Sequence, residues 1–294
     1  MSGPVEVWRL PAREFAAGRR VFAWTVGPDG RLAVLLGSEE DLTVRQGIGY
    51  VTLPCDVELV TVEGGSEWRT ALPGVTVHPH HVALLPGGRT LLAAACADEL
   101  PDGWERNAVV YGPDGWPVRE FTLGEDVQAM VTDQAGRIWI AYGEEGVYGH
   151  HPASQDGLQG LDSAGRSLWR PRRAELPDYP QDGIAAATEG RAVWLAWLAQ
   201  EKGSFLTRVD PFDGTSSTVA LPVRLPTGFA VTGDRALFLR HPGELVRCHR
   251  VDGAWREVRR ERLDLPGELD GTRAFGRSGV LWFRMGNGWY RVEA

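Results

Sequence analysis

The chain has 294 residues, 43% of them hydrophobic, and a formal net charge of -8. That length can bury a substantial core, while the acidic balance lacks the clustered Lys and Arg by which nucleic acid is bound, so no nucleic-acid partner is expected. No apolar run approaches a membrane span and MSGPVEVWRLPAREF has no apolar stretch behind a basic opening, so no membrane partner and a cytoplasmic location are expected.

Thirty-seven glycines, nineteen prolines and twelve tryptophans favour many short strands over helices. Taken along the chain, a tight turn followed by an apolar strand recurs as PDGRLAVLLG (28–37), PGGRTLLAAA (86–95), QAGRIWIAYG (134–143), TEGRAVWLAW (188–197), TGDRALFLR (232–240) and RSGVLWFRMG (277–286). The residues that open these second strands, Arg31, Arg89, Arg137, Arg191, Arg235 and Gly279, are spaced by 44 to 58 residues. The leftover ends make one more interval, of 46. Between these units lies a second series of strand, Asp/Gly turn and strand: DVELVTVEGGSEWRTAL (56–72), AVVYGPDGWPVREFTL (108–123), GLQGLDSAGRSLWRP (157–171), FLTRVDPFDGTSSTVAL (205–221) and LVRCHRVDGAWREVRR (245–260). The last repeat has one strand here, WYRVEA (289–294), and VEVWRL (5–10) is its simplest partner.

Six four-stranded repeats of about fifty residues describe an all-β, six-bladed β-propeller, a single domain over 1–294 closed by the N-terminal strand completing the last blade. A pair of β-sandwiches would also give short strands but not this period. A shared blade makes a self-contained monomer the expected state. Cys55, Cys96 and Cys248 are odd in number and far apart, which fits buried free thiols.

In such a ring the loops between blades and those between second and third strands meet around a central channel, the concave place where a ligand is expected. They gather His80, His81, Arg106, Asp126, Glu145, Tyr148, His150 and Arg284 as candidate ligand-binding residues. Arg20, Glu39, Glu99, Trp104, Glu125, His151, Glu201, Lys202 and Asp270 fall on the same rim. In VHPHHVALL, strand alternation puts His78 and His80 on one face with Val82 and His81 on the other. Two such imidazoles with Asp126 and Glu144 could hold a divalent ion, Ca, Zn or Mn. The alternative is a His bonded to backbone at the strand entrance, with the others solvated. In EEGVYGHH (144–151), carboxylates beside histidines could act as an acid–base pair, or be solvated rim charges. His150, Arg106 and Asp182 are the catalytic candidates. The sequence has no G-x-S-x-G, H-E-x-x-H, dinucleotide-binding or C-x-x-C pattern.

Asp126-Val127-Gln128, Asp133 with Gly136-Arg137-Ile138-Trp139, Tyr142, and Glu145-Gly146-Val147-Tyr148-Gly149 together resemble the pattern of a group of bacterial propeller proteins without an assigned activity. GLQGLDSAGRSLW (157–169) and HHVALLPGGRTLL (80–92) extend the resemblance over about the middle half of the chain. The G-R-I-W turn is more loosely similar to the sensor-propeller repeat found outside two-component kinases. The resemblance implies the fold and little about activity. The sequence lacks the repeated Trp-Asp of WD40 proteins, and with Asn107 and Asn287 alone it lacks the Asn-rich shell of calcium-dependent lactonases. The expected function is therefore binding of a small molecule or a protein partner on the loop-rich face. A metal-assisted hydrolase, lactonase or lyase is one alternative, and a protein-interaction scaffold another.

Overall fold

The structure is a computed structural model that describes residues 3–45, 48–199 and 202–294, without the side chains of 44, 45, 48, 49 and 270–272. Glu201 and the side chain of Asp270, both expected on the rim, lie outside the described residues.

The repeated turn has a visible physical cause. Asp133 accepts hydrogen bonds at Oδ1 from the backbone N–H of Ala135 (2.9 Å) and Arg137 (3.0 Å), and at Oδ2 from Trp139 Nε1 (3.1 Å). The carboxylate thus satisfies the turn and holds the first large residue of the next strand. Gly136 sits at φ 79°, and a Cβ there would stand 2.5 Å from Pro86 Cδ of the preceding sheet. Asp162 builds the same turn in the hairpin that follows, with Ala164 N and Arg166 N at 2.8 and 2.9 Å.

Among the described residues four sheets hold four antiparallel strands each, and an eight-stranded sheet joins two further antiparallel sets of four, IV and VI below, through a short parallel pairing of Ala187 with Gly276 and Thr188 with Arg277. Sheet I holds Arg19–Val26, Leu32–Ser38, Cys55–Glu63 and Ser66–Val75, and sheet II holds His81–Leu85, Arg89–Ala93, Ala108–Tyr111 and Pro117–Phe121. Sheet III holds Val127–Thr132, Ile138–Tyr142, Leu158–Leu161 and Ser167–Trp169, and sheet IV holds Asp182–Glu189, Ala192–Ala199, Gly203–Val209 and Ser216–Ala220. Sheet V holds Gly228–Thr232, Arg235–Arg240, Glu244–Val251 and Ala254–Arg262. Sheet VI holds Leu269–Arg277, Val280–Met285 and Gly288–Glu293, and its fourth strand is Val5–Arg9, with Val5 opposite Arg291 and Arg9 opposite Gly288. Two short hairpins are inserted between second and third strands: Leu42–Arg45 with Ile48–Val51 in sheet I, and Glu99–Leu100 with Gly103–Trp104 in sheet II.

Second strands such as Ile138–Tyr142 are buried along their whole length, because each lies between two neighbouring sheets. The apolar clusters fill the spaces between consecutive sheets, with Tyr111 between I and II, Tyr142 between II and III, Phe229 between IV and V, and Phe283 between V and VI. Burying a side chain of this kind contributes roughly 2–3 kcal/mol. The first strands pack against one another in the order I to VI, and VI against I. They carry small residues where they meet: a Cβ on Gly276 would fall 1.9 Å from the Phe229 carbonyl oxygen. What remains along the axis is a space of about 20 Å³ lined by Ala129, Met130, Ala185 and Ala186 among others.

Two sequence readings are corrected. Cys55 and Cys248 are buried, their thiols pushed up to about 11 chiefly by burial, but Cys96 is exposed. The loop after Tyr142 contains a one-turn helix, Glu144–Val147. Among the described residues no helix is long and apolar enough to cross a membrane.

Candidate functional site

The first strands begin at one end of the axis, and there a cavity of about 350 Å³ opens between sheets I and VI. Its walls are Val21–Trp24 from the first strand of sheet I, Leu42 and Val51 from the inserted hairpin, His78–His80 from the connection between sheets I and II, and Arg273 and Arg284 from sheet VI. His80 and Arg284 are therefore brought together with His78 in one cavity.

Strand alternation does not set the geometry of the histidines. The strand starts only at His81, because Pro79 has no N–H for a ladder, and the His80 amide instead bonds the His78 carbonyl at 2.9 Å. The tight turn lays the two rings face to face, with centroids 4.3 Å apart and planes 21° apart. His78 Nε2 accepts a hydrogen bond from the Val51 amide (2.9 Å), and His80 Nδ1 accepts one from the Ala95 amide (3.2 Å). An accepting ring nitrogen is unprotonated, so both rings are neutral. Burial lowers the pKa of each. For His80, the nearby His78 and the Arg273 guanidinium add to that effect and bring it to about 4.

His81 is buried and lines the axial space rather than the cavity. Its Nε2 stands 2.7 Å from the Val127 carbonyl and so carries the proton, while the Arg273 guanidinium lies 3.4 Å from the same nitrogen. Burial first, then Arg273, holds its pKa well below the usual value. Arg273 also donates to the His80 carbonyl, which fixes the guanidinium against the loop. Sequence reasoning missed this residue. The first strand of sheet VI shifts register between Leu269 and Ala274, and an Arg on an inner strand was the one available signal.

The acidic candidates collect elsewhere, at the ends of sheets III and IV. Asp126 is buried at φ 54°, a left-handed position that Asp tolerates. Its Oδ1 accepts from Gln128 Nε2 (2.8 Å) and its Oδ2 from the Glu145 amide (3.0 Å). Asp182 accepts from the Glu144 backbone, so carboxylates of two sheets cap the same short helix. Burial, and then the charges of Asp126 and Glu144, raise the Asp182 pKa. Gln181 Nε2 reaches Glu144 Oε1 at 3.4 Å.

The remaining candidates do not converge. Arg106, Tyr148 and His150 are exposed, and His150 Nδ1 stands 3.9 Å from Glu99 Oε2 of the second inserted hairpin. His151, its sequence neighbour, is buried edge-on against Trp104, accepting from the Ala153 amide (3.1 Å) and donating its own amide to Glu125 (2.6 Å). On the rim Arg20 pairs with Glu39, and Lys202 donates to the Pro177 carbonyl.

His78, His80, Asp126 and Glu144 do not form one metal shell. The lone pairs of His78 and His80 are taken by backbone amides, both Asp126 oxygens are engaged, and among the described residues no three His, Cys, Asp or Glu are grouped so as to hold a metal ion. Asn107, fully buried, is spent on backbone as well, donating to the Gly124 carbonyl (3.0 Å) and accepting from the Leu123 amide (2.8 Å).

No protein-family model matches the sequence, and none of the curated proteins does. Solved structures do match in shape. A chain of the mitotic checkpoint complex has 6% identity and a TM-score of 0.54, covering 99% of this chain and 93% of that one. A gluconolactonase from Xanthomonas campestris has 13% identity and a TM-score of 0.51, covering 99% and 97%. The WD40 domain of Toxoplasma gondii coronin has 8% identity and a TM-score of 0.51, covering 92% of this chain and 68% of that one. At such identities the likeness concerns the fold, and the all-β chain has the fold of a β-propeller.

Proposed function

We propose that this chain is a six-bladed β-propeller, one domain over 1–294, that binds a small molecule in the cavity at the mouth of its central channel. The observation that carries the reading is the cavity itself. It joins two arginines, two neutral stacked histidines and an apolar wall from four separate stretches of the chain, at the low end of the size range of small-molecule sites. Six sets of four strands support the blade number, and the pairing of Val5–Arg9 with Gly288–Glu293 supports closure by the N-terminal strand. Membership in the bacterial propeller group that the Asp126–Gly149 pattern resembles, a monomeric state and a cytoplasmic location belong to the same proposal.

A second reading, hydrolysis or elimination by general acid catalysis, is favoured by Asp182 alone. Its pKa is raised by burial and then by the charges of Asp126 and Glu144, which is the direction a general acid requires. The likeness to a gluconolactonase concerns the fold, and a metal-assisted version of the reading lacks a ligand set among the described residues.

Methyl NMR during a fragment screen tests the binding reading. Bound fragments are expected to shift the Val21, Leu42 and Val51 methyls. Shifts confined to Val127 and Val147, beside the acidic cap, would move the site to sheets III and IV.

A further inference from the structure

We infer that a second binding site, apart from the mouth of the channel, lies in the cleft between sheets I and II at the other end of their strands, and that it takes a neutral saccharide. The face of sheet I that turns toward sheet II changes character along its third and fourth strands. Thr70 stands opposite Leu59, and Trp68 opposite Thr61. Alternation therefore places Leu59, Thr61, Glu63, Trp68, Thr70 and Leu72 on this one face. Leu59 and Leu72 are buried in the apolar cluster shared with sheet II. Beyond them the packing opens into a cleft of about 440 Å³, lined by Thr61, Glu63, Trp68 and Thr70 and by the first-hairpin turns of both sheets, Asp29 and Arg31 from one and Pro86–Arg89 from the other. Its size lies within the range of small-molecule sites.

Trp68 stands in contrast to a tryptophan on another outer strand. Trp169 of sheet III is 9% exposed and closes onto the next sheet, donating its Nε1–H to the Gly214 carbonyl (3.1 Å). Trp68 is 51% exposed, and among the described residues no hydrogen bond takes up its indole N–H or the hydroxyls of Thr61 and Thr70. The charged groups of the cleft are already arranged in balance. Arg31 lies 3.2 Å from Asp29 and 3.4 Å from Glu63, and Arg89 donates from Nε to the Pro86 carbonyl (3.0 Å). Two carboxylates and two guanidinium groups leave the lining without net charge, so an ion of either sign gains little there. A flat apolar ligand would cover the Trp68 ring but leave two hydroxyls and the ion pairs desolvated. A pyranose ring meets both demands. Its C–H face lies on the indole, whose negative face attracts polarised C–H groups, and its hydroxyls donate and accept at once, matching carboxylate, guanidinium and threonine groups held in place beforehand.

The test uses the whole protein with cellobiose, maltose and chitobiose, set against sorbitol, which has hydroxyls without a ring, and benzamide, which has a ring without hydroxyls. Binding is followed through the Trp68 indole and the Thr61 and Thr70 methyl resonances, and by calorimetry. At least one disaccharide is expected to shift these signals and to bind at least tenfold more tightly than sorbitol or benzamide. Trp68→Ala is expected to weaken that sugar at least tenfold, with Trp68→Tyr recovering part of the loss. Thr61→Val, which keeps the shape and loses one hydroxyl, is expected to weaken it several-fold, and decides if Trp68→Ala does not fold. The inference is overturned if no disaccharide moves these signals, if sorbitol or benzamide binds as tightly, or if affinity is unchanged in Trp68→Ala and Thr61→Val. A sugar that shifts only the Leu42 and Val51 methyls belongs to the mouth, and overturns the cleft site while supporting the cavity.

Discussion

Arg273 and Arg277 stand four residues apart on the first strand of sheet VI, so they share a face of that strand, about 13 Å apart along the axis. Arg273 is at the open end, half-buried beside the cavity. Arg277 is toward the other end, 4% exposed, and its guanidinium reaches three other sheets: the carbonyls of Val26 (2.7 Å) in sheet I and Thr132 (2.8 Å) in sheet III, and Thr188 Oγ1 (3.4 Å) in sheet IV. No carboxylate touches it among these bonds. Burial lowers its pKa to about 10, against the distant pull of Asp29 and Asp133, so it remains charged at neutral pH. The same side chain thus ties strand carbonyls of separate sheets together at one end, and lines a cavity at the other.

The sharpest way to break that comparison is to remove each guanidinium in turn. Arg277→Ala leaves strand carbonyls of sheets I and III buried without donors, at about 1–3 kcal/mol each, so a loss of roughly 3 kcal/mol or more is expected in urea unfolding. Arg273→Ala, at the half-buried end, is expected to cost less stability than Arg277→Ala while altering binding in the cavity. Equal losses in the two variants would show that Arg273 is a fastener as well.

The next largest effect concerns a turn that was legible in advance. Asp133→Ala breaks three hydrogen bonds at once and strands the Trp139 indole N–H in the core, so a loss of about 2 kcal/mol is expected, with Asp133→Asn retaining part of the turn. Thermal melts of the two variants measure it.

Turns and strands were readable from the sequence because their causes are local. An Asp before a Gly-Arg step and an alternating or wholly apolar run each specify their own geometry, as Asp133, Asp162 and Ile138–Tyr142 do. The cavity was legible in part, through His80 and Arg284. The reading failed at two points for identifiable reasons: Pro79 delays the strand, so His78 and His80 meet through a turn and not through pleat alternation, and a register shift precedes Arg273 at the mouth. Arg277 appeared in the repeat only as a turn residue. Its partners come from positions 145 and 251 residues away, which no local pattern encodes.

Acid separates the two ends of the channel further. His80 and His81 have folded-state pKa values below the ordinary 6.5, the first at about 4, so below pH 6.5 the unfolded chain binds protons that the folded one refuses. Stability therefore falls as pH falls from 6.5 past 4, with a slope of up to about 1.4 kcal/mol per pH unit for the buried His81. The exposed edge of His80 screens its share. Denaturant melts across this range should show the slope, and His81→Gln should flatten it while Arg277→Ala leaves it unchanged. A slope untouched by His81→Gln would assign the acid sensitivity to groups other than His81, His80 among them.

The smallest effect is local to the cavity's roof. The Val51 amide donates to His78 Nε2, one bond that ties the inserted hairpin to the connection between sheets I and II, and the Tyr50 ring packs edge-on to the same imidazole at 6.3 Å. His78→Ala breaks that tie without touching the strand ladders, so about 1 kcal/mol of local stability is expected to be lost, and global melting should barely move. Hydrogen exchange reads the difference directly: the Val51 amide should exchange several-fold faster while the Val131 and Leu195 amides, deep in sheets III and IV, keep their protection. If Val51 exchange is unaltered, the hairpin is held by its own pairing, and His78 contributes to the mouth only as a ring stacked on His80.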